Sequence, residues 1–235
     1  MKIVLLPGLH GTEELLKSFI NSTPDEHETE LISYPVNQAL GYTQLASHVY
    51  KRLENYRNYI IIAESFSGPI GVLVASSNPS GLQGLVLCSS FVTPILPRFC
   101  RFLPWVTWFR IPAPSFFIRR FCIGNNQEDS LLKKIRALTL AANPKVLASR
   151  VQAILSVDVR DALQKIQVPI LDLRGKQDHL IPKKSADALL QSAPGTVQKT
   201  IDAPHFLIQV MPQEAWQVIT KFVKDQSLDK SPVNK

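Results

Sequence analysis

The stretch IIIAESFSGPIG, residues 60–71, decides the fold because it changes secondary structure at a serine. Its first four residues have the composition of a fully buried β-strand, and the residues after Gly68 have that of an apolar helix. A strand that turns into a helix at one residue strains the backbone there, and such strain is kept mainly at sites that are used. The pattern predicts that Ser65 is a nucleophile; the alternative is a serine that caps a buried helix.

The residues around Ser65 support this prediction and depart from the usual pattern. The positions two before and two after such a serine must be small, and here Ala63 and Ser67 stand where glycine is usual. The N–H group of Phe66 would face the space above Ser65 and is a predicted oxyanion donor. A charged Glu64 would favour a protonated histidine nearby and move activity to alkaline pH.

The rest of the chain alternates strands and helices, which predicts an α/β fold with a doubly wound, mainly parallel sheet of about six strands. Strands are predicted at 2–6, 30–34, 58–63, 84–88, 168–175 and 196–201. Helices are predicted at 13–20 with Thr12 as N-cap, at 42–56, 69–77 and 183–192, and at 212–224. We expect residues 1–90 and 158–226 to form the core and 227–235 to form a flexible tail.

Residues 91–157, after the fourth strand, are predicted to form a helical cap over the sheet. Residues 91–121 contain nine of the 19 aromatic residues of the chain and five of its 17 prolines. Because proline interrupts helices, we expect several short helices joined by turns.

A nucleophilic serine needs a base and a group that orients the base. His205, in DAPHFLIQ, follows the last predicted strand, and Asp178, in LRGKQDHLIP, follows the strand before it. Both should lie at the carboxyl edge of the sheet, where ligand sites of parallel sheets gather. The predicted set is therefore Ser65, Asp178 and His205. The rival carboxylates are Asp158, Asp202 and, less favourably, Asp172 inside a strand.

The loop LPGLHGT after the first strand is expected to supply the second oxyanion donor. Gly8 and Gly11 allow a tight turn, which would point the N–H group of Leu9 towards the Ser65 hydroxyl. His10 would either contact the substrate or cap the turn.

Together, the motifs LPGLHGT, IIIAESFSG, LRGKQDHLIP and APHFL resemble those of the α/β-hydrolase superfamily, in the same order and over nearly the whole chain. The stretch ILSVDVRDALQKIQVPILDLRGKQDHLIP is similar to the carboxylesterases related to pimeloyl-acyl-carrier-protein methyl ester esterase. The resemblance implies an α/β-hydrolase fold, a triad of Ser65, Asp178 and His205, and Leu9 and Phe66 as oxyanion donors. It implies neither a metal nor an organic cofactor.

These features predict a serine hydrolase that cleaves small-molecule carboxylic esters through an acyl-enzyme intermediate. Relatives with dehalogenase or epoxide-hydrolase activity use aspartate at the position of Ser65. An aminopeptidase needs cap carboxylates to hold a free amine, and residues 91–157 contain only Glu128 and Asp129. The alternatives are a thioesterase or acyltransferase acting on carrier-linked acyl groups, and a non-catalytic binding protein.

The aromatic side chains of the cap have two explanations. They would line a pocket for an acyl chain, with Trp105, Trp108 and Phe109 as predicted substrate-binding residues, or they would pack the cap onto the sheet. The full set is Phe99, Phe102, Trp105, Trp108, Phe109, Phe116, Phe117 and Phe121.

The net charge of +7 belongs to the cap, where residues 91–157 contain ten basic and two acidic residues. This charge is a solvated face, a docking site for an acidic acyl carrier, or a contact with anionic lipid. Nucleic-acid binding is disfavoured because no recognition motif accompanies the charge. Three cysteines and a short N-terminal apolar run favour a cytoplasmic protein, with peripheral membrane attachment as an alternative.

Overall fold

The computed structural model describes residues 1–125 and 127–228. Its six strands form one parallel sheet in the order β2-β1-β3-β4-β5-β6. The strands are β1 (Lys2–Leu6), β2 (Glu28–Leu31), β3 (Tyr59–Glu64), β4 (Leu82–Cys88), β5 (Ile170–Gly175) and β6 (Val197–Ile201). The predicted doubly wound parallel sheet is confirmed.

Helices cover both faces of this sheet, as buried parallel strands require. The helices of the core are α1 (Lys17–Asn21), α2 (Tyr42–Leu53), α3 (Gly68–Ala75), α8 (Arg160–Leu163), α9 (Lys183–Ser192), α10 (Leu207–Val210) and α11 (Pro212–Asp225). Those between β4 and α8 are α4 (Trp105–Trp108), α5 (Ser115–Ile118), α6 (Asp129–Ala141) and α7 (Pro144–Ile154). Single helical turns of other types span Ser65–Ser67, Arg98–Phe102 and Arg119–Ile123.

The connection order creates a crevice between β1 and β3. The chain leaves β1 for β2 on one side and returns to β3 on the other side of β1, so the loops after β1 and β3 diverge. In parallel sheets ligands bind at such a switch point, outside the carboxyl ends of the strands. All six residues of β3 are buried, which fixes the position of the residue that follows it.

Hydrophobic packing holds the helices to each face. On one face Phe19 of α1 stacks on Trp216 of α11 with ring centroids 4.4 Å apart, and the Trp216 indole donates to the Phe19 carbonyl at 2.9 Å. On the other face α2 and α3 bury their apolar sides against β1 and β3. No helix within the described ranges has the length and hydrophobicity of a membrane span.

Two predicted helical regions differ from the structure. The helix predicted at 13–20 begins only at Lys17, because residues 13–16 form a turn closed by the Leu16 N–H and the Glu13 carbonyl at 2.7 Å; Thr12 is not its cap. The prediction of short cap helices holds for α4 and α5, but α6 and α7 are three-turn helices.

The predicted tail, 227–235, lies mostly outside the described residues. Leu228, which is described, is buried next to β4: a Cβ atom added at Gly84 would lie 2.9 Å from its Cδ1 atom.

Candidate active site

Ser65 lies directly after β3 in the left-handed region of backbone conformation. Its φ angle is 50°, which is rare for a residue with a side chain. The strain is held by close packing at the start of α3, where a Cβ atom on Gly68 would lie 1.7 Å from the Ser90 hydroxyl. That hydroxyl also donates to the Ser65 carbonyl at 2.7 Å. The sharp turn predicted from the sequence is therefore present at residue 65.

The serine that stands at 67 in place of glycine has a defined structural role. Its hydroxyl donates a hydrogen bond to the Pro7 carbonyl and accepts one from the Tyr34 hydroxyl. Burial raises the pKa of Tyr34, so the phenol keeps the proton that it donates. Ser67 thus joins the turn after β3 to the loop after β1, which glycine cannot do.

The structure brings together the three residues predicted as a catalytic set. The Ser65 Oγ atom lies 2.9 Å from His205 Nε2, and His205 Nδ1 lies 2.8 Å from Asp178 Oδ2. The side chains of His205 and Asp178 are 1% and 7% exposed. Hydroxyl, imidazole and carboxylate form one hydrogen-bonded line, in the order that proton transfer from a serine requires.

Asp178 is held as a charged acceptor in this line. Its other carboxylate oxygen accepts the N–H groups of Leu180 at 2.8 Å and Ile181 at 3.0 Å. Burial opposes the charged form of Asp178, but the hydrogen bond and charge of His205 and these two N–H groups outweigh it and lower the pKa of the carboxyl. In the neutral imidazole the Asp178 carboxylate accepts from Nδ1–H, and Nε2 is then the ring nitrogen that can accept the proton of Ser65.

The rival carboxylates have other partners. Asp158 forms an exposed ion pair with Arg160, and Asp202 accepts a hydrogen bond from Gln177. Asp172 lies within β5, as expected, and pairs with Arg174 at 2.6 Å.

Glu64 is buried beside the crevice and connects two of its loops. Its carboxyl accepts a hydrogen bond from the Gly8 N–H group and another from Gln209 Nε2, at 3.2 Å from Oε1. A Cβ atom at Gly8 would lie 2.5 Å from Glu64 Oε2, so only glycine allows this approach. Burial raises the pKa of Glu64, against the opposing effects of His205, Gln209 and Gly8. The sequence showed that Glu64 precedes Ser65, but not that it holds the loop after β1.

Arg150 holds the same loop from the cap, a role that the sequence did not reveal. The Gly11 N–H donates to the Gly8 carbonyl at 3.0 Å, which closes a tight turn around Leu9. From α7, Arg150 donates to the Leu9 carbonyl at 2.7 Å and to the Pro35 carbonyl at 3.2 Å, and it is 2% exposed. In the sequence it counted only as one of ten basic cap residues.

His10 bridges the turn and the cap. The Thr139 hydroxyl donates to the Ile135 carbonyl at 2.8 Å, so it must accept the proton of His10 Nε2 at 2.9 Å. Burial, and secondarily the charge of Arg150, lower the pKa of His10 to about 4, so the ring is neutral at physiological pH. His10 also lines a cavity of about 270 Å³ between the loop after β1 and helices α6 and α7.

The aromatic residues predicted to bind substrate form a cluster within the cap. The Trp105 ring lies 5.2 Å from that of Trp108 and 6.4 Å from that of Phe109, and its indole donates to the Cys100 carbonyl at 2.8 Å. Trp105 lines an open groove against α7 rather than the cavity at His10. Their role in substrate binding stays a prediction.

Comparison with known families agrees with this geometry. The family model described as serine aminopeptidase, S33, matches residues 41–207, a range that contains Ser65, Asp178 and His205. The chain belongs to this family. No curated protein matches the chain.

Solved structures show the same fold at low sequence identity. An esterase from Exiguobacterium antarcticum superposes with a TM-score of 0.81 and 18% identity, over 95% of this chain and 92% of that one. A thermophilic esterase from Thermogutta terrifontis superposes with a TM-score of 0.74 and 21% identity, over 96% of this chain and 90% of that one. A bromoperoxidase from Bacillus anthracis superposes with a TM-score of 0.77 and 15% identity, over 95% of this chain and 92% of that one. The predicted α/β-hydrolase fold is confirmed, and this member of the serine aminopeptidase family is a hydrolase of that superfamily.

Proposed function

We propose that the chain is a serine hydrolase that cleaves carboxylic esters with an apolar acyl group. The observation that carries the proposal is the continuous hydrogen-bonded line from Ser65 through His205 to Asp178 at the switch point of the sheet. A strained serine at the start of this line supports the same proposal, since such strain is kept where the hydroxyl must be exposed for attack.

In the first half of the reaction, Ser65 Oγ attacks the ester carbonyl carbon while His205 Nε2 accepts the serine proton. The imidazolium that forms is stabilised by Asp178 through Nδ1. The negative charge on the carbonyl oxygen is stabilised by the N–H groups of Leu9 and Phe66. When the tetrahedral intermediate collapses, His205 gives its proton to the leaving alcohol and the acyl group stays on Ser65.

In the second half, water replaces the alcohol. His205 accepts a proton from the water as its oxygen attacks the acyl carbon, and then returns the proton to Ser65. The carboxylic acid leaves, and the line of hydrogen bonds is restored.

The cavity beside His10 is our candidate for the apolar group of the substrate. Aliphatic side chains of α6 and α7 make up much of its wall, with His10 at one side, and these include Leu138, Val146 and Leu147. A neutral His10 is compatible with an uncharged substrate at this place.

A second candidate is a thioesterase or acyltransferase that acts on acyl groups carried by acyl carrier protein or coenzyme A. The observation that favours it is a cleft of about 310 Å³ beside Asp178, to which Arg119, Arg120 and His179 contribute. These groups suit a phosphate. The resemblance of residues 154–182 to carboxylesterases related to pimeloyl-acyl-carrier-protein methyl ester esterase is a further reason to test carrier-linked substrates.

Aminopeptidase activity, which the family description names, is the third possibility to test. It requires a carboxylate to bind a free amine. Of the two acidic residues between 91 and 157, Asp129 is paired with Arg119, and Glu128 accepts a hydrogen bond from the Ser130 hydroxyl. Glu14, which lines the cavity beside His10, is paired with Lys17 at 2.9 Å. These pairings favour an uncharged acyl group.

The test is hydrolysis of a p-nitrophenyl ester series from acetate to laurate, beside acyl-coenzyme A and aminoacyl p-nitroanilides, by wild type and Ser65→Ala. We expect turnover of the esters by wild type alone. Faster turnover of acyl-coenzyme A would favour the thioesterase, and faster turnover of the anilides the peptidase. No turnover of any substrate would overturn the proposal and favour a binding protein.

A cytoplasmic location, supported by the three cysteines of the sequence, is also part of the proposal.

A further inference from the structure

The segment 98–121 of the cap, here called the aromatic arm, exposes large apolar side chains. Phe99, Phe102 and Phe116 are 66%, 76% and 73% exposed. Trp108, Ile111 and Phe117 are also exposed. Single exposed apolar residues are ordinary, but six within one short segment indicate a surface that meets something apolar.

The exposed rings lie outside because other residues of the arm occupy the inside. In the turn Arg98–Phe102 it is Cys100 that is buried. In α5 and the turn after it, Ile118 and Ile123 pack with Leu132 and Ile135 of α6, which leaves Phe116 exposed. Cys100 and Ile118 therefore anchor the arm from within, and the exposed rings are not needed to attach it.

The arm also carries concentrated positive charge. It contains five arginines, and no acidic residue occurs from Phe91 to Gln127. Arg119 is paired with Asp129, whereas Arg98, Arg101, Arg110 and Arg120 are exposed. Two of the arginines lie over neighbouring rings: Arg101 is 4.7 Å from the centroid of Phe102, and Arg120 is 5.6 Å from that of Phe121. Charge and apolar surface thus alternate along the same segment.

Exposed rings together with arginines distinguish between three possible partners of the aromatic arm. If a second copy of the chain packed its own aromatic arm against this one, the arginines of the two arms would repel each other. An acidic carrier protein would pair with the arginines but would have to cover rings that are two-thirds or more exposed. An anionic bilayer offers lipid phosphates to the arginines, and the boundary between head groups and acyl chains to the rings.

We propose that the aromatic arm docks the protein onto the surface of an anionic phospholipid bilayer, with Phe99, Phe102 and Phe116 inserted at the level of the head groups. The arm is also joined to the crevice. The Phe206 N–H, next to His205, donates to the carbonyl of Cys122, directly after the arm, at 2.9 Å. Docking would therefore place the loop that carries His205 close to the lipid surface. The proposal does not depend on the ester reaction.

The experiment is co-sedimentation of the full chain with vesicles of phosphatidylcholine alone, or of phosphatidylcholine with about 30% phosphatidylglycerol. We expect binding to the anionic vesicles that weakens as salt is raised. Phe102→Ser with Phe116→Ser should reduce binding about tenfold, and Arg101→Gln with Arg110→Gln should remove the preference for phosphatidylglycerol. All four side chains are exposed, so these variants should fold, which circular dichroism would verify.

Two controls make the result specific. Tyr50→Ser removes an aromatic side chain that is 40% exposed on α2, outside the cap, and should bind as wild type does. Ser65→Ala should also bind as wild type, which separates docking from hydrolysis.

Fluorescence quenching tests whether the arm reaches the lipid. In the variant Trp216→Phe, which lacks a buried indole, brominated lipid should quench the fluorescence of the remaining tryptophans Trp105 and Trp108 in the arm.

Several results would overturn the proposal. These are sedimentation with neither kind of vesicle, equal binding by wild type and Phe102→Ser/Phe116→Ser, and the absence of quenching. Binding of an acidic acyl carrier protein but not of anionic vesicles would assign the arm to a carrier. Dimerisation abolished by the same phenylalanine variants, with no vesicle binding, would assign it to a second copy.

Discussion

Phe66, beside Ser65, is 1% exposed and stacks on Tyr42 at 4.9 Å, whereas Phe102 in the aromatic arm is 76% exposed and faces Arg101. The arginines differ in the same way. Arg150 is buried and donates to two backbone carbonyls, while Arg101 is exposed. At the crevice, each side chain fixes the position of another group. In the arm, the same residue types are exposed, and we propose that they meet a lipid surface.

This difference has a physical basis. Three polar side chains are buried around Ser65, and each is tolerated because it has a hydrogen-bond partner in a neighbouring loop. They are Glu64, Ser67 and Arg150. The backbone strain at Ser65 is held by the hydrogen bond from Ser90. A change there should affect activity or stability strongly. A change in the arm should alter little except binding.

The largest expected effect separates two carboxylates near His205. Asp178→Asn should lower kcat by about 10⁴-fold, because an amide cannot hold the imidazole in the tautomer that accepts the serine proton. Asp202→Asn, an exposed carboxylate three residues from His205, should leave kcat unchanged. Steady-state kinetics on a p-nitrophenyl ester measures both. Equal effects of the two variants would remove Asp178 from the proposed triad.

The next effect compares two phenylalanines by stability. Phe66→Ala should lower the free energy of unfolding by about 3–5 kcal/mol, because it empties a packed site beside Tyr42. Phe102→Ala should change it by less than about 0.5 kcal/mol, as for most surface substitutions. Urea denaturation of both variants is the measurement. A large loss for Phe102→Ala would show that the arm packs against the core.

A smaller effect is expected at Arg150, which holds the loop that carries Leu9, a proposed oxyanion donor. Arg150→Met should lower kcat by about 10- to 100-fold with little change in KM, because the turn around Leu9 loses its anchor. Arg110→Met, an exposed arginine of the arm, is the matched control and should retain its kcat. A change in KM alone would instead indicate that Arg150 contacts the substrate.

The smallest effect concerns the pH dependence caused by Glu64. Because burial raises the pKa of this carboxyl above its unfolded value, its contribution to stability is present at low pH and is lost as pH rises through the folded pKa. Glu64→Gln should therefore raise Tm relative to wild type more at pH 8 than at pH 5. Removing the charge should also move the acidic limb of the kcat/KM profile to lower pH. An unchanged profile would mean that Glu64 serves only to hold Gly8 and Gln209.

The sequence predicted the sheet because its four inner strands are apolar and buried, and because helical patterns separate the strands along the chain. It predicted the positions of Ser65, His205 and Asp178 because each lies one short step after a strand, where topology leaves little freedom. The predicted start of α1 was wrong, because residues 13–16 form a separate turn, closed by the Leu16 N–H and the Glu13 carbonyl, before the helix begins at Lys17.

The sequence could not reveal the groups that support the site. Arg150 lies 141 residues from Leu9 in the chain, and Gln209 lies 145 residues from Glu64. No local pattern marks such pairs. The aromatic residues of the cap presented a different difficulty, since composition does not distinguish rings that line a pocket from rings that face solvent.

The most direct test of the central claim is the reaction of the protein with a fluorophosphonate, followed by mass spectrometry of the intact chain and its peptides. If Ser65 is activated by His205, one adduct per chain should form on the peptide that contains Ser65, and His205→Ala should slow its formation by several orders of magnitude. Absence of an adduct, or an adduct on another serine at equal rate, would contradict the account.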